Sequence, residues 1–251
     1  MKTIKMEEMN WPDIKSALQN GYTTVVVAVG SMEQHGPHLP TITDTIIGDA
    51  LANRVALKLG KTLQAKTICV GCSEHHLAFP GTISIKSDTL KRIMDDYTES
   101  FINHGFKHII YLPSHGGNFL TVAETIKQQQ LKYPDHKIIA YTDLLGFVNR
   151  LCEISKEFGI TKDEAGAHAG ENETSIIMAL NQALVHTERF QTGYLGPLGE
   201  GEVKIIMQEG MPALSEIGVL GDPTQATPEK GEVYLDKMAD FLTFWIKENI
   251  S

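Results

Sequence analysis

The sequence is short of several things that whole classes of protein need. It has three cysteines in 251 residues, too few and odd in number for a disulfide framework, so a reducing, cytoplasmic setting is the expectation. Cys69 and Cys72 form a lone C-x-x-C. No second pair and no finger-spaced histidines accompany it, and the apolar run around Cys69 reads as a strand, so buried structural thiols are the expectation. No apolar run approaches the ~20 residues that cross a bilayer; the longest is Val25 to Val29. The N-terminus carries Lys2, Lys5, Glu7 and Glu8 and lacks the apolar core of a signal peptide. Positive charge is scarce: 22 Lys and Arg against 31 Asp and Glu give a net charge of −9, which argues against nucleic acid or an anionic membrane as partner. There is no G-x-G-x-x-G after the first apolar run and no phosphate-loop G-K-[ST], so a nucleotide-binding module is excluded on motif. A serine hydrolase needs a G-x-S-x-G elbow, and the nearest segment, Gly71-Cys72-Ser73-Glu74-His75, lacks the final glycine.

What is present is an ordinary globular composition, 42% hydrophobic and 21% charged, with no repeat, linker or low-complexity tract. Residues 1–251 are therefore expected to form a single domain. Strand-length apolar runs alternate with segments of helical period, the pattern of βαβ units, which predicts an α/β protein: a three-layer α/β/α sandwich with a mainly parallel central sheet. Strands are expected over Thr23 to Val29, Lys66 to Val70, Lys107 to Leu112 and Lys137 to Tyr141. Helices are expected from about Thr45 to Gly60, from Ser87 or Asp88 to Gly105, from about Asn118 to Lys132, from Thr174 to Asn181, and from Pro228 to Glu248 with Thr227 as cap. Residues 191–228, rich in glycine and proline, read as irregular structure or short strands.

In an open parallel sheet, ligands bind beyond the carboxyl ends of the strands. That rule selects three loops: Gly30-Ser31-Met32-Glu33-Gln34-His35-Gly36-Pro37-His38-Leu39-Pro40 leading to Asp44, Gly71-Cys72-Ser73-Glu74-His75-His76 leading to Pro80-Gly81-Thr82, and Pro113-Ser114-His115-Gly116-Gly117-Asn118. Five of the ten histidines, His35, His38, His75, His76 and His115, fall in them. Glu33 and His35 are two apart, so in an extended loop they point the same way. Asp44 can fold back on them from the start of the next helix, and His115 joins from the third loop. Two carboxylates and two imidazoles suit zinc, manganese or iron(II), and a carboxylate can bridge two ions about 3.5–4 Å apart. Taken singly, Asp44 is equally a helix cap and each histidine a hydrogen-bonded turn residue; their conjunction on successive strand ends carries the metal reading. A fourth segment, Gly166-Ala167-His168-Ala169-Gly170-Glu171-Asn172-Glu173-Thr174-Ser175, surrounds His168 with small residues that let a substrate approach. Glu173 there is either a further ligand or a dipole partner at a helix start.

These segments resemble the creatininase (creatinine amidohydrolase) family. The resemblance rests on the run Gly30 to Pro40 with Asp44, on Phe79-Pro80-Gly81-Thr82, on Ser114-His115-Gly116-Gly117-Asn118, and on His168-Ala169-Gly170-Glu171 with Glu173-Thr174-Ser175. It covers about Val25 to Leu180. It implies an α/β/α sandwich whose two-metal centre hydrolyses C–N bonds of cyclic or linear amides in a small-molecule substrate, as a homo-oligomer, hexameric by family resemblance. Two divalent transition metal ions are the implied cofactors, zinc first, with manganese or iron as alternatives. Carried over by position, Glu33 and His115 serve one metal, His35 the other, and Asp44 bridges both. His168 is the general acid/base and Glu173 a further metal ligand. In this chain His75, Gly116 and Gly117 are expected to face the substrate, and His38, His75 and His76 to line or support the site.

Two departures bear on the substrate. Creatininase proper carries tyrosine and a metal-binding glutamate where this chain has Gly116 and Gly117, so Glu173 has to complete the second metal site or leave it weak. It also carries a substrate-packing tryptophan shortly before the catalytic histidine, where this chain reads Lys162-Asp163-Glu164-Ala165-Gly166-Ala167. Both features argue against creatinine itself. Relatives acting on formamides of flavin-type biosynthesis, on peptides or on oxidised inositols fit equally, and a non-catalytic metal-binding homologue is the alternative of a different class.

Overall fold

The computed structural model describes residues 2–250. Its centre is a four-stranded, all-parallel sheet of β1 (Thr24–Val29), β2 (Thr62–Gln64), β3 (His108–Pro113) and β4 (Lys137–Ala140) in the order β2-β1-β3-β4. The continuous apolar run of β1 follows from burial on both faces. Val25, Val27 and Val29 point into one core, with Leu90 and Met94 of α3 (Ser87–His104) and Val122 of α4 (Phe119–Lys132). Val26 and Ala28 point into the other, with Val55 of α2 (Thr43–Leu59) and Ala239 and Leu242 of the last helix. This is the expected three-layer sandwich.

Two expectations are corrected. The second strand is Thr62–Gln64, not Lys66 to Val70. Its ladder residues Thr62 and Gln64 are polar yet buried, satisfied by Gly60 O, Asn53 and Asp49, so counting apolar residues slides the strand too far along. The chain rejoins β1 only through a bridge from Ile68 to Val29. Residues 191–228 are not wholly irregular, because they contain the helix α8 (Glu200–Glu209). Gly199 and Gly201 disguise its start, where Glu202 reaches back to accept from Gly199 N at 2.9 Å.

Helices absent from the sequence reading are α1 (Trp11–Gln19), α5 (Leu144–Lys156) and the short α6 (Lys162–Ala165). The first two carry side-chain caps, Asn10 accepting from Asp13 N and Asp143 from Gly146 N. The two helices that frame the far side of the site are α7 (Glu171–Asn181) and α9 (Pro228–Ile250). They are locked by Glu171, which is fully buried and accepts from Tyr234 Oη at 2.5 Å and from Ser175 Oγ at 2.8 Å. Ser155 Oγ of α5 lies 2.8 Å from the same tyrosine oxygen.

Tyr234→Phe leaves a buried carboxylate short of a donor. We expect it to destabilise the protein by about 1–3 kcal/mol in urea denaturation; an unchanged midpoint would show that this lock is not holding α9 on α7.

Candidate metal centre

Asp44 sits in the first turn of α2, immediately past the β1 loop, and is buried. Its Oδ2 accepts from Ser31 Oγ at 2.6 Å and its backbone carbonyl from Ser114 Oγ at 2.8 Å, so the loops after β1 and β3 both hold it. Each carboxylate oxygen faces an imidazole nitrogen: Oδ1 is 3.3 Å from His35 Nε2 and Oδ2 is 3.2 Å from His115 Nδ1. The remaining nitrogen of each ring faces a backbone carbonyl, His35 Nδ1 meeting Glu33 O at 3.1 Å and His115 Nε2 meeting Cys72 O at 3.0 Å. A carbonyl can only accept, so those nitrogens carry ring protons, and the nitrogens facing Asp44 are the ones that can take up either a second proton or a metal cation. A lone pair aimed at a carboxylate oxygen is repulsive unless a proton or a metal cation lies between them. Metal-ligating histidines are held in this way, one nitrogen tethered and the other free.

Glu33 enters from the same loop, its backbone N donating to Thr41 O at 2.8 Å. Its Oε2 lies 3.2 Å from His115 Nε2; its Oε1 lies 3.3 Å from His76 Nε2 and 3.7 Å from His168 Nδ1. Glu33 Oε2 and His35 Nε2 are both buried without a hydrogen-bond partner, a costly state for polar atoms away from water. Glu33, His35 and Asp44 offer ligand atoms all within 4.8 Å of one another, as do His35, His168 and Glu173, and likewise Glu33, His75 and His115. The orphaned atoms and this donor set fit divalent metal ions of the zinc or manganese kind.

Burial and charge together set the protonation of the centre. Burial pushes the Glu33 carboxyl up, but the imidazolium of His115 outweighs it and holds the group down at about 2. Asp44, opposed by the same burial, is held well below its ordinary value by His35 and His115. The reverse applies to the rings: burial lowers His35 but Asp44 raises it to about 9, and His115, against the same burial, is raised well above its ordinary value by Glu33 and Asp44. Protons thus occupy the places where the donor set calls for cations. His168 has burial and then His35 against it and is pushed down to about 3, so it is a neutral base. Glu173 is pushed up by burial to about 7. Its Oε2 accepts from Ala169 N at 2.5 Å, and Ala169 adopts a left-handed backbone with φ of 52°, strain of a kind that collects at functional sites.

All the residues singled out from the sequence as metal ligands therefore converge, with His168 beside them. Among those expected to face the substrate, His75 stacks on His115 with ring centroids 5.6 Å apart, and Gly116 is exposed, where a Cβ would meet only the Leu144 side chain at 3.9 Å. Gly117 has no room for a side chain, since a Cβ there would lie 2.2 Å from Cys72 O and 2.6 Å from His115 Nε2. A glutamate at that position would collide with the tether of His115. Glu173 Oε2, 3.9 Å from His35 Nε2, is the carboxylate on the His35 side. Gln34, given no role from the sequence, and His76, expected there only to line or support the site, are both buried and both central. Their signal was their position, one between Glu33 and His35 and the other beside His75, but hydrogen-bonding partners from distant loops cannot be read from spacing. Asn118 closes the assembly, its Nδ2 donating to Gly30 O at 2.9 Å and its Oδ1 accepting from Cys72 N at 2.9 Å.

A cation must displace the protons held by His35 and His115, so metal binding strengthens as pH rises toward about 9, the value for His35. We expect the zinc affinity of metal-free protein, followed with a competing chelator from pH 6 to 9, to rise by about tenfold per pH unit for each proton displaced. A flat profile would contradict protonated ligand rings.

Comparison with known proteins agrees with this geometry. The family model described as creatinine amidohydrolase matches residues 7–246. A mycofactocin precursor peptide peptidase of Mycolicibacterium smegmatis is 33% identical over 221 residues, covering 86% of this chain and 81% of that protein. A 3-dehydro-scyllo-inosose hydrolase of Thermotoga maritima is 28% identical over 254 residues, covering 89% and 76%. Among solved structures, a mutant creatininase of Zn-Zn type superposes with a TM-score of 0.83 at 24% identity over 100% of this chain and 99% of that one. A creatininase in a form titled Mn superposes with a TM-score of 0.80 at 24% identity, covering 99% of each chain. The chain belongs to the creatininase family of amidohydrolases.

Proposed function

We propose that this chain is a binuclear metal-dependent hydrolase of C–N bonds, with Glu33 and His115 serving one ion, His35 and Glu173 the other, and Asp44 shared between them. The observation that carries the reading is Asp44 itself, each of whose oxygens faces a nitrogen of a different, separately tethered imidazole. Zinc or manganese is the preferred metal, a choice supported by the titles of the solved creatininase forms. These residues would hold divalent cations, which when bound would supply an acidified water and polarisation of the scissile carbonyl.

The chain's own part in the reaction falls to His168. Its Nε2 donates to Gln34 O at 2.8 Å, which leaves Nδ1 as the free lone pair on the side of Glu33 and, because the ring is neutral, ready to accept a proton. Taking a proton at Nδ1 and returning it to the departing nitrogen is the general acid/base role the reaction needs.

The substrate is constrained by the cleft beside the site. A cavity of about 320 Å³ has Gln34 and His35 on its wall together with Pro37, Leu39, Phe79 and Ile217, and no lysine, arginine, aspartate or glutamate lines it. It suits an uncharged, partly apolar group flanking the amide and offers no cation to hold a phosphate. This favours small cyclic amides and, as a second reading supported by the 33% identical peptidase, a peptide amide between apolar residues.

His168→Ala should retain the metal content of the wild-type chain, measured by elemental analysis, and lose at least about 10²-fold in turnover on whichever member of a panel of cyclic amides, formamides and short apolar peptides the zinc- or manganese-loaded enzyme hydrolyses. Full turnover in that variant would remove the proton role from His168. A wild-type chain that binds metal and cleaves nothing in the panel would favour the non-catalytic alternative.

A further inference from the structure

We infer that Gln34 and His76 are positioning residues that fix the orientation of the Glu33 carboxylate, through a relay running from the Gln34 amide to His76 Nδ1 and from His76 Nε2 to Glu33 Oε1. This inference rests on the reading of Glu33 as a metal ligand and adds to it what holds that ligand in place.

The relay follows from hydrogen-bond bookkeeping that turns on one assignment, His168 Nε2 donating to Gln34 O. Gln34 is buried. Its side-chain oxygen accepts from Gly36 N at 2.8 Å, and a backbone N–H can only donate, so that atom is the oxygen. The amide nitrogen donates to Gly218 O at 3.2 Å, and a carbonyl can only accept, which confirms the same orientation. The second amide proton points to His76 Nδ1 at 2.9 Å. His76 Nδ1 is therefore the acceptor, and the ring proton sits on Nε2, which faces Glu33 Oε1 at 3.3 Å. Gln34 Nε2 also lies 3.0 Å from His168 Nε2. That approach is a contact between two donors, because His168 Nε2 gives its proton to Gln34 O and both amide protons are committed elsewhere.

His76 is thus tethered in the opposite sense to His35 and His115. Those rings donate to a carbonyl and turn toward the centre a nitrogen that a cation can take; His76 accepts from an amide and turns an N–H toward it. A ring so held cannot ligate a metal through Nε2, although Glu33, His76 and His168 lie as close together as the other potential ligand sets. It can hold one oxygen of Glu33 and leave the other, the unpartnered Oε2, for a cation. The fold gives Gln34 no alternative position: Gly218, at φ of 72°, packs so closely that a Cβ there would lie 2.0 Å from Gln34 Oε1. The backbone N of Gln34 is held as well, donating to Thr82 Oγ1 at 3.1 Å. One buried glutamine thereby couples the loop after β1 to the loops carrying His76, His168 and Gly218. Partners of this kind, one step out from the ligands, typically change metal affinity by about 10–100-fold when lost.

The test uses the full-length protein and zinc as the probe. Nitrogen-15 histidine shifts in zinc-loaded wild-type protein should show His76 protonated on Nε2 and bare on Nδ1. Gln34→Glu puts an acceptor opposite Nδ1 and should invert that tautomer while weakening zinc binding by about 10–100-fold. Gln34→Met, of similar length but without the amide, should weaken binding without imposing the inversion. A glutamine that merely packs would affect unfolding and leave tautomer and affinity unmoved. His76 protonated on Nδ1 in the wild type, a measurement that needs no variant, overturns the proposal. So does a folded Gln34→Glu that keeps wild-type tautomer and affinity. A wild-type chain that takes up no zinc or manganese at all is a different failure, that of the metal reading itself.

Discussion

Everything at the strand ends is organised around one buried carboxylate with an imidazole nitrogen against each of its oxygens. Asp44 and Glu33 are nearly inaccessible to water, and two ionised carboxylates in such a volume are tolerable only with positive charge between and around them. Without metal, that charge is supplied by protons on His35 and His115. The backbone carbonyls of Glu33 and Cys72 fix which nitrogen of each ring does this. The result is a pair of cation positions defined by main-chain geometry, with side-chain preference playing little part.

The sheet explains why those groups meet. With the order β2-β1-β3-β4, the chain leaves β1 toward one edge and comes back to place β3 on the other side of it. α2 then packs on the core face formed by Val26 and Ala28, while α3 and α4 pack on the opposite face. The two helices that follow β1 and β3 therefore diverge, and the crevice between their starts is where ligands bind in open parallel sheets. Asp44 at the start of α2 and His115 just before α4 are the two sides of that crevice. His168 and Glu173 close it from above, on the segment tied down by the Glu171–Tyr234 lock and by the bridge between His168 and Leu220.

How much of this was legible in the sequence depended on whether the determinant was local. The β1 run of valines and the Gly105 stop of α3 are short-range patterns and read correctly, and the loop motifs containing Glu33, His35 and His115 are equally local; the α3 cap expected at Ser87 or Asp88 falls instead on Lys86, without a side-chain bond. β2 was misplaced because its ladder residues are polar and find partners on α2, a fact that exists only in three dimensions. α8 stayed hidden behind glycines at its start. The roles of Gln34 and His76 were invisible for the same reason as β2: each is defined by what two or three distant loops present to it. Gly117 is the converse case. The departure from creatininase proper was plain in the sequence, but its cause, the Cys72 carbonyl and His115 crowding the position, was not.

The central claim is that Asp44 is shared by two cations, and it is tested most directly by X-ray diffraction of zinc-loaded crystals with anomalous data collected at the zinc edge. The account predicts two anomalous peaks about 3.5–4 Å apart, one toward His35 and Glu173 and the other toward His115 and Glu33, with one Asp44 oxygen directed to each. A single peak, or two peaks that leave Asp44 uncoordinated, would contradict it.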